Sequence, residues 1–258
     1  MARKNSATTL TLPKDLQEKL QDFAQQIEVI ARDNLLAMYL YGSVTHKVFS
    51  NLNAQINLLI VLKNAKVENI ENISQAVSKA KKAFNLEPTI ITKEEVKTSA
   101  DVFPIEFTDM KVKNTLIWGE DVFKNVQISM EDLRLACELE LKKRLFHLRS
   151  FFVLNLKHPQ ILVEKLLQDF PEFMMQADTL FYIRSGYFAN STNELLKEIF
   201  KTFHIQNAKL KKVYEIYQNP AQAPTDLLEI VDLYNDYLSV VAKVAHFADS
   251  MEVYKQES

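Results

Sequence analysis

The sequence contains little cysteine, little glycine and no long apolar run. Cys137 is the single cysteine, so no disulfide can form within the chain, and a reducing cytoplasm is the expected compartment. No stretch approaches the ~20 apolar residues that a membrane-spanning helix needs. The formal net charge is −2, which argues against a broad basic surface and makes nucleic acid an unexpected partner.

The overall composition is that of an ordinary globular protein. Apolar residues make up 47% of the 258 residues and charged residues 25%, so one or two domains with large cores are expected. The first half mixes strand-like runs with helical periodicity, whereas from Ser129 onward the pattern is helical. We therefore predict an α+β chain with a mixed-sheet domain over residues 1–128 and an all-α helical bundle over residues 129–258.

The most informative stretch lies near the start of the first domain. Residues 35–41 form an apolar run of strand length, Gly42-Ser43 interrupts it, and residues 56–62 form a second apolar run. The polar residues between the two runs leave room for a turn and a short helix over residues 44–49. The pattern thus predicts a strand, a Gly-Ser turn, a helix and a second strand.

This arrangement resembles the nucleotidyltransferase superfamily, which includes DNA polymerase beta and the aminoglycoside nucleotidyltransferases. The family pattern is an apolar strand, Gly-Ser, about ten residues, and a strand that begins Asp-x-Asp. Gly42 and Ser43 match this pattern, and Gln55 and Asn57 stand at the two aspartate positions. The resemblance implies a bacterial type of two-domain protein with a nucleotidyltransferase-like sheet and a helical second domain.

The two amides change the chemistry that the resemblance implies. Alternate residues of a strand point to the same face, so Asp-x-Asp places two carboxylates side by side. Mg²⁺ is usually held by one or two carboxylates together with substrate phosphates. Gln55 and Asn57 keep the geometry and the oxygen acceptors but lose both negative charges. We therefore predict a degenerate metal site, with no metal bound by the protein.

The resemblance also implies a third carboxylate on a later strand. In residues 102–110, apolar and polar residues alternate well enough to predict a strand, with an irregular start at Pro104. On this strand Glu106 is the first candidate for a catalytic acid and Asp109 the second. The competing interpretation is a surface acid on an edge strand.

The remaining nucleotide-binding candidates come from the turn itself. By resemblance, Ser43 would bind phosphate through its hydroxyl, helped by the Gly42 turn and the helix N-terminus, and Lys47 would approach phosphate. The alternative is that Gly42-Ser43 only makes the turn and Lys47 is a solvated helix residue. The predicted nucleotide-binding residues are Gly42, Ser43, Lys47, Gln55 and Asn57.

Three functions follow as hypotheses. The first is a nucleotidyltransferase-like pseudoenzyme that binds a nucleotide or a protein partner and needs no cofactor. The second is an active enzyme that uses Mg²⁺ and a nucleoside triphosphate at an atypical metal site to modify an aminoglycoside-like small molecule. The third is an interaction module whose helical bundle pairs with a second copy or with another protein.

Overall fold

The computed structural model describes residues 12–42, 55–205 and 207–252. The chain divides into two compact units, residues 1–128 and residues 129–258. The first unit is a mixed α/β structure and the second is all helical in the part that is described. The predicted α+β fold class is therefore confirmed.

The first unit alternates helices with the strands of one sheet. Its elements are α1 (Lys14–Ala31), β1 (Leu35–Tyr41), β2 (Ile56–Leu62), α2 (Val67–Phe84), β3 (Leu86–Thr92), α3 (Lys93–Thr98), α4 (Pro104–Val112) and β4 (Asn114–Gly119). The strands predicted at residues 35–41 and 56–62 are confirmed with these bounds. The helix predicted over residues 44–49 lies outside the described residues.

The four strands are ordered β3-β2-β1-β4. β1 is antiparallel to both β2 and β4, whereas β2 and β3 run parallel. The parallel pair requires a crossover connection, and α2 supplies it between the two strands. The sheet is thus mixed, as the sequence predicts.

Each face of the sheet has its own apolar core. Residues of α1 and α2, such as Phe23, Ile27 and Ile73, cover the face that carries Leu58 and Ile60. Residues of α3 and α4, such as Val96 and Phe107, belong to the core on the opposite face. Because both faces are covered, β2 is buried at every residue except Asn57, and residues 58–62 are a continuous apolar run.

The strand predicted over residues 102–110 is wrong, since Pro104–Val112 is the helix α4. Proline occupies the first turn, where its fixed φ favours a helix and its missing N–H costs nothing. The buried residues Ile105 and Thr108 are three apart, and so are Phe107 and Met110, which is helical spacing. The start signal at Pro104 therefore outweighs the apparent alternation.

The second unit consists of long helices. They are α5 (Met130–Asn155), α6 (Pro159–Ser185), α7 (Thr192–Thr202), α8 (Asn207–Gln218) and α9 (Leu227–Ser250). α6 continues through Pro171 as one helix. Over the described residues, no helix is both long enough and apolar enough to cross a membrane.

Candidate functional site

Four residues, one from each strand, form a row across one end of the sheet. Tyr41 at the end of β1 pairs with Asn57 of β2 and with Asn114 of β4. Asn57 in turn pairs with Glu87 of β3. Residues that are level with one another across neighbouring strands project from the same face of a sheet. The fold therefore places Asn57 between Tyr41 and Glu87 in this row.

The side chain of Tyr41 on β1 reaches across β2 and contacts β3. Its hydroxyl forms a 2.7 Å hydrogen bond with the Thr89 hydroxyl on β3. Burial raises the pKa of Tyr41, and the nearby carboxylates of Asp109, Glu106 and Glu87 raise it further. Tyr41 therefore lies within electrostatic reach of three acids that come from two different elements.

Gly42 begins the turn after β1 and fits against this row. Its φ of +77° lies in the left-handed region that favours glycine. A Cβ at Gly42 would lie 2.9 Å from Asn57 Nδ2 and 3.5 Å from Asp109 Oδ2. The structure thus brings together three of the predicted site residues, Gly42, Asn57 and Asp109.

Asp109 reaches this position from α4, although the argument that selected it assumed a strand. Its Oδ1 lies 3.5 Å from Nζ of Lys113, and the side chains are 14% and 8% exposed respectively. Lys113 follows α4 and directly precedes Asn114 of the row. A mostly buried ammonium group therefore balances this carboxylate. Glu106 lies on the first turn of the same helix. A catalytic role for either acid stays a prediction.

Glu87 is the acid that sequence reasoning missed. The resemblance implies a third carboxylate on a later strand, and β3 is the later strand that pairs with β2. Glu87 is the second residue of β3, which begins at Leu86. The signal in the sequence is weak, because Glu87, Pro88 and Thr89 separate Leu86 from the two isoleucines of this strand.

Glu87 lies in a partly exposed network at the rim of the row. Its Oε2 accepts a 2.7 Å hydrogen bond from Nζ of Lys81 on α2. This bond and the charge of Lys81 lower the pKa of Glu87, and a hydrogen bond with Gln55 contributes to the same shift. Gln55 thus joins the network as a neighbour of Glu87 and does not belong to the row of four residues.

Ser43 and Lys47, the other two predicted phosphate-binding residues, lie outside the described residues. The described part of the site therefore consists of Gly42, Gln55, Asn57, Glu87 and Asp109, with Lys81 and Lys113 as counter-charges.

The donor set at the end of the sheet fits Mg²⁺ poorly. The two positions on β2 and just before it carry neutral amides, and the two carboxylates nearest to them are each paired with a lysine. Within the described residues, no group of three His, Cys, Asp or Glu side chains is placed to hold a metal ion. Mg²⁺ prefers anionic oxygens and gives up its water reluctantly, so these neutral and already paired groups compete weakly for it. Chemically, the arrangement offers hydrogen bonds and ammonium charges to a ligand.

Comparisons with known proteins agree with the nucleotidyltransferase-like fold. No protein-family model and no curated protein match the sequence. Among solved structures, the chain is similar to spectinomycin adenyltransferase AAD(9) from Enterococcus faecialis, which was solved with ATP and spectinomycin. The TM-score is 0.50 at 13% identity, and the match covers 86% of this chain and 99% of that one. At this identity the likeness concerns the fold alone, which is that of a nucleotidyltransferase.

Proposed function

We propose that this chain binds a nucleotide at the end of its sheet and has lost metal-dependent nucleotidyl transfer. The observation that carries the proposal is Asn57, which lies between Tyr41 and Glu87 at a position where the family pattern has a carboxylate. The structural likeness to a protein solved with ATP supports the choice of a nucleotide as the ligand.

The electrostatics of the site support the loss of metal-dependent transfer. Nucleotidyl transfer relies on metal ions to neutralise charge that develops on the phosphate oxygens. Electrostatic stabilisation of this kind is usually the largest single contribution to such a reaction. With amides at residues 55 and 57, three carboxylates remain near Tyr41. Glu87 and Asp109 already have lysine partners, which leaves Glu106 alone without one among the described residues.

The same lysines support nucleotide binding without a metal. Nζ of Lys81 is held at the exposed rim by Glu87, and the side chain of Lys81 remains 57% exposed. An ammonium group offers three hydrogen-bond donors to phosphate oxygens, and it carries a fixed positive charge that does not depend on Mg²⁺. In this proposal Lys81 supplies part of the cationic charge that a bound metal supplies in an active enzyme.

One observation favours the alternative of an active enzyme with an atypical metal site. Glu87 is level with Asn57 on the neighbouring strand, so a carboxylate does adjoin the position of the lost aspartate. Activity would require Glu87 to leave Lys81 and to recruit Mg²⁺ together with the substrate phosphates.

Calorimetry with ATP in Mg²⁺ and in EDTA tests the proposal. We expect the wild-type chain to bind ATP equally well in both buffers. The Gln55→Asp/Asn57→Asp variant restores both carboxylates, so we expect it to bind ATP more tightly with Mg²⁺ than with EDTA. Gln25→Asp/Gln26→Asp on the exposed side of α1 adds the same charge elsewhere and should behave as the wild type.

Two results would contradict this proposal in different ways. Absence of ATP binding in both buffers would remove the nucleotide and leave a protein-interaction role. Turnover of labelled ATP with Mg²⁺ and spectinomycin, abolished by Glu87→Gln, would establish the active alternative.

A further inference from the structure

We propose that the helical unit carries a second binding site, for a small organic anion with a flat ring system. The site is an open cleft of about 940 Å³. Its walls come from the C-terminal parts of α6, α7 and α9 and from the residues that follow α6 and α7. All of its lining residues belong to residues 181–250, so the cleft lies within one compact unit.

The floor of the cleft is aromatic. Phe181 and Phe203 are 4% and 6% exposed, and Phe247 packs edge-on against Phe203 with ring centroids 4.7 Å apart. Tyr187 packs edge-on against Phe181, is 52% exposed and also lines the cleft. Flat apolar groups bind such surfaces through offset or edge-on ring contacts.

The rim of the cleft is cationic. Arg184, Lys201 and Lys243 line it from three different helices, and Glu198 is the one acid among the lining residues. The guanidinium of Arg184 lies 5.8 Å from the centre of the Phe247 ring, which is cation–π distance. This excess of positive charge is local, because the whole chain has a net charge of −2.

Several cations of the same unit are already neutralised by carboxylates, whereas, among the described residues, the rim cations are not. Arg134, Lys142 and Arg144 each form ion pairs with carboxylates. For Arg184, Lys201 and Lys243, the described residues place no carboxylate within ion-pairing distance. Three cations that form no ion pair with the described residues, beside the single carboxylate of Glu198 and above an aromatic floor, match a ligand that joins an anionic group to a ring.

Stabilisation of helix ends explains only part of this cluster. Arg184 and Lys201 lie in the last turns of α6 and α7, where a cation interacts favourably with the helix dipole. Lys243, however, lies about two turns before the end of α9 at Ser250.

The experiment uses a pair of matched probes on the full chain. The first probe, 8-anilinonaphthalene-1-sulfonate, joins a sulfonate to flat rings and fluoresces when it leaves water. The second, N-phenyl-1-naphthylamine, has the same rings without the charge. We expect Arg184→Ala/Lys243→Ala to weaken binding of the sulfonate at least about tenfold and to leave binding of the neutral probe unchanged.

The control removes cations of the same kinds outside the cleft. Arg149→Ala/Lys197→Ala takes one exposed arginine and one exposed lysine from α5 and α7 and should leave binding of the sulfonate unchanged. Equal weakening by both double variants, or no weakening by the cleft variant, would overturn the proposal. So would a lowered melting temperature of the cleft variant with unchanged binding, because the cations would then serve only the helix ends. The Gln55→Asp/Asn57→Asp variant should bind the sulfonate normally, so this test is independent of the proposed nucleotide site.

Discussion

Two charged clusters, one in each unit, use similar groups in very different surroundings. At the end of the sheet, Glu87 and Lys81 form an ion pair in which the side chains are 44% and 57% exposed. Inside the helical unit, Arg144 and Asp169 form an ion pair in which both side chains are less than 10% exposed. The first pair stays accessible to a ligand, whereas the second is enclosed by protein.

The enclosed cluster, Arg144 and Asp169, makes several further hydrogen bonds. Arg144 also donates to Gln176 Oε1 at 3.1 Å and to Glu172 Oε2 at 3.1 Å. Asp169 also accepts a 2.9 Å hydrogen bond from the hydroxyl of Tyr237. Burial raises the pKa of Asp169 even though Arg144 and Tyr237 oppose that shift. The comparison teaches that an enclosed network of this kind serves the structure, whereas the open pair at the sheet end is available for function.

Breaking the enclosed network should have the largest effect. We expect Arg144→Ala to lower the free energy of unfolding by about 3–5 kcal/mol, because it leaves Asp169 buried without its cation. Lys143→Ala is the matched control, since Lys143 is 61% exposed and pairs with Glu140 at the surface. That control should cost at most about 1 kcal/mol. Urea denaturation of both variants measures the difference, and equal losses would refute the contrast between the clusters.

Crowding the sheet end should have an intermediate effect. Gly42→Ala places a Cβ 2.9 Å from the Asn57 amide at a φ of +77°. Gly186→Ala has a similar φ of +80° but nothing within 4 Å of the new atom. We expect Gly186→Ala to cost about 1–2 kcal/mol from the backbone alone, and Gly42→Ala to cost more. Thermal unfolding of the two variants compares them, and equal costs would mean that Asn57 moves aside freely.

Separating the open pair should have the smallest effect on stability and a clear effect on titration. Lys81→Ala should raise the pKa of Glu87, because Lys81 is the main cause of its lowered value. A lowered pKa contributes stability that is present above the unfolded-state pKa and is lost as the pH falls through the folded-state value. Lys81→Ala should therefore weaken the dependence of stability on acid pH. Carbon-detected NMR titration of the Glu87 carboxyl group measures the pKa directly, and Lys82→Ala, on the exposed side of α2, is the control. An unchanged Glu87 pKa in Lys81→Ala would show that the pair does not form in solution.

Local patterns in the sequence were enough to predict most elements of the fold. Residues 35–41 and 56–62 are short apolar runs with turn residues beside them, and each became a strand with the expected bounds. Ser129 predicted a helix start, and its hydroxyl accepts a hydrogen bond from Asp132 N as an N-cap. Residues 102–110 were mistaken for a strand because, over so few residues, the pattern of apolar and polar positions fits both a strand and a helix.

The sequence alone shows that the side chains of residues 55 and 57 are uncharged, because an amide is neutral wherever the fold places it. The sequence alone does not show which residues these two side chains meet, because those partners depend on contacts between distant segments. Parallel pairing of β2 with β3 sets Glu87 level with Asn57, and the packing of α4 brings Asp109 to Gly42. Strand register and helix packing depend on which apolar faces bury one another across the whole unit. Local periodicity thus specifies which segments are strands and helices, while long-range burial selects the residues that meet.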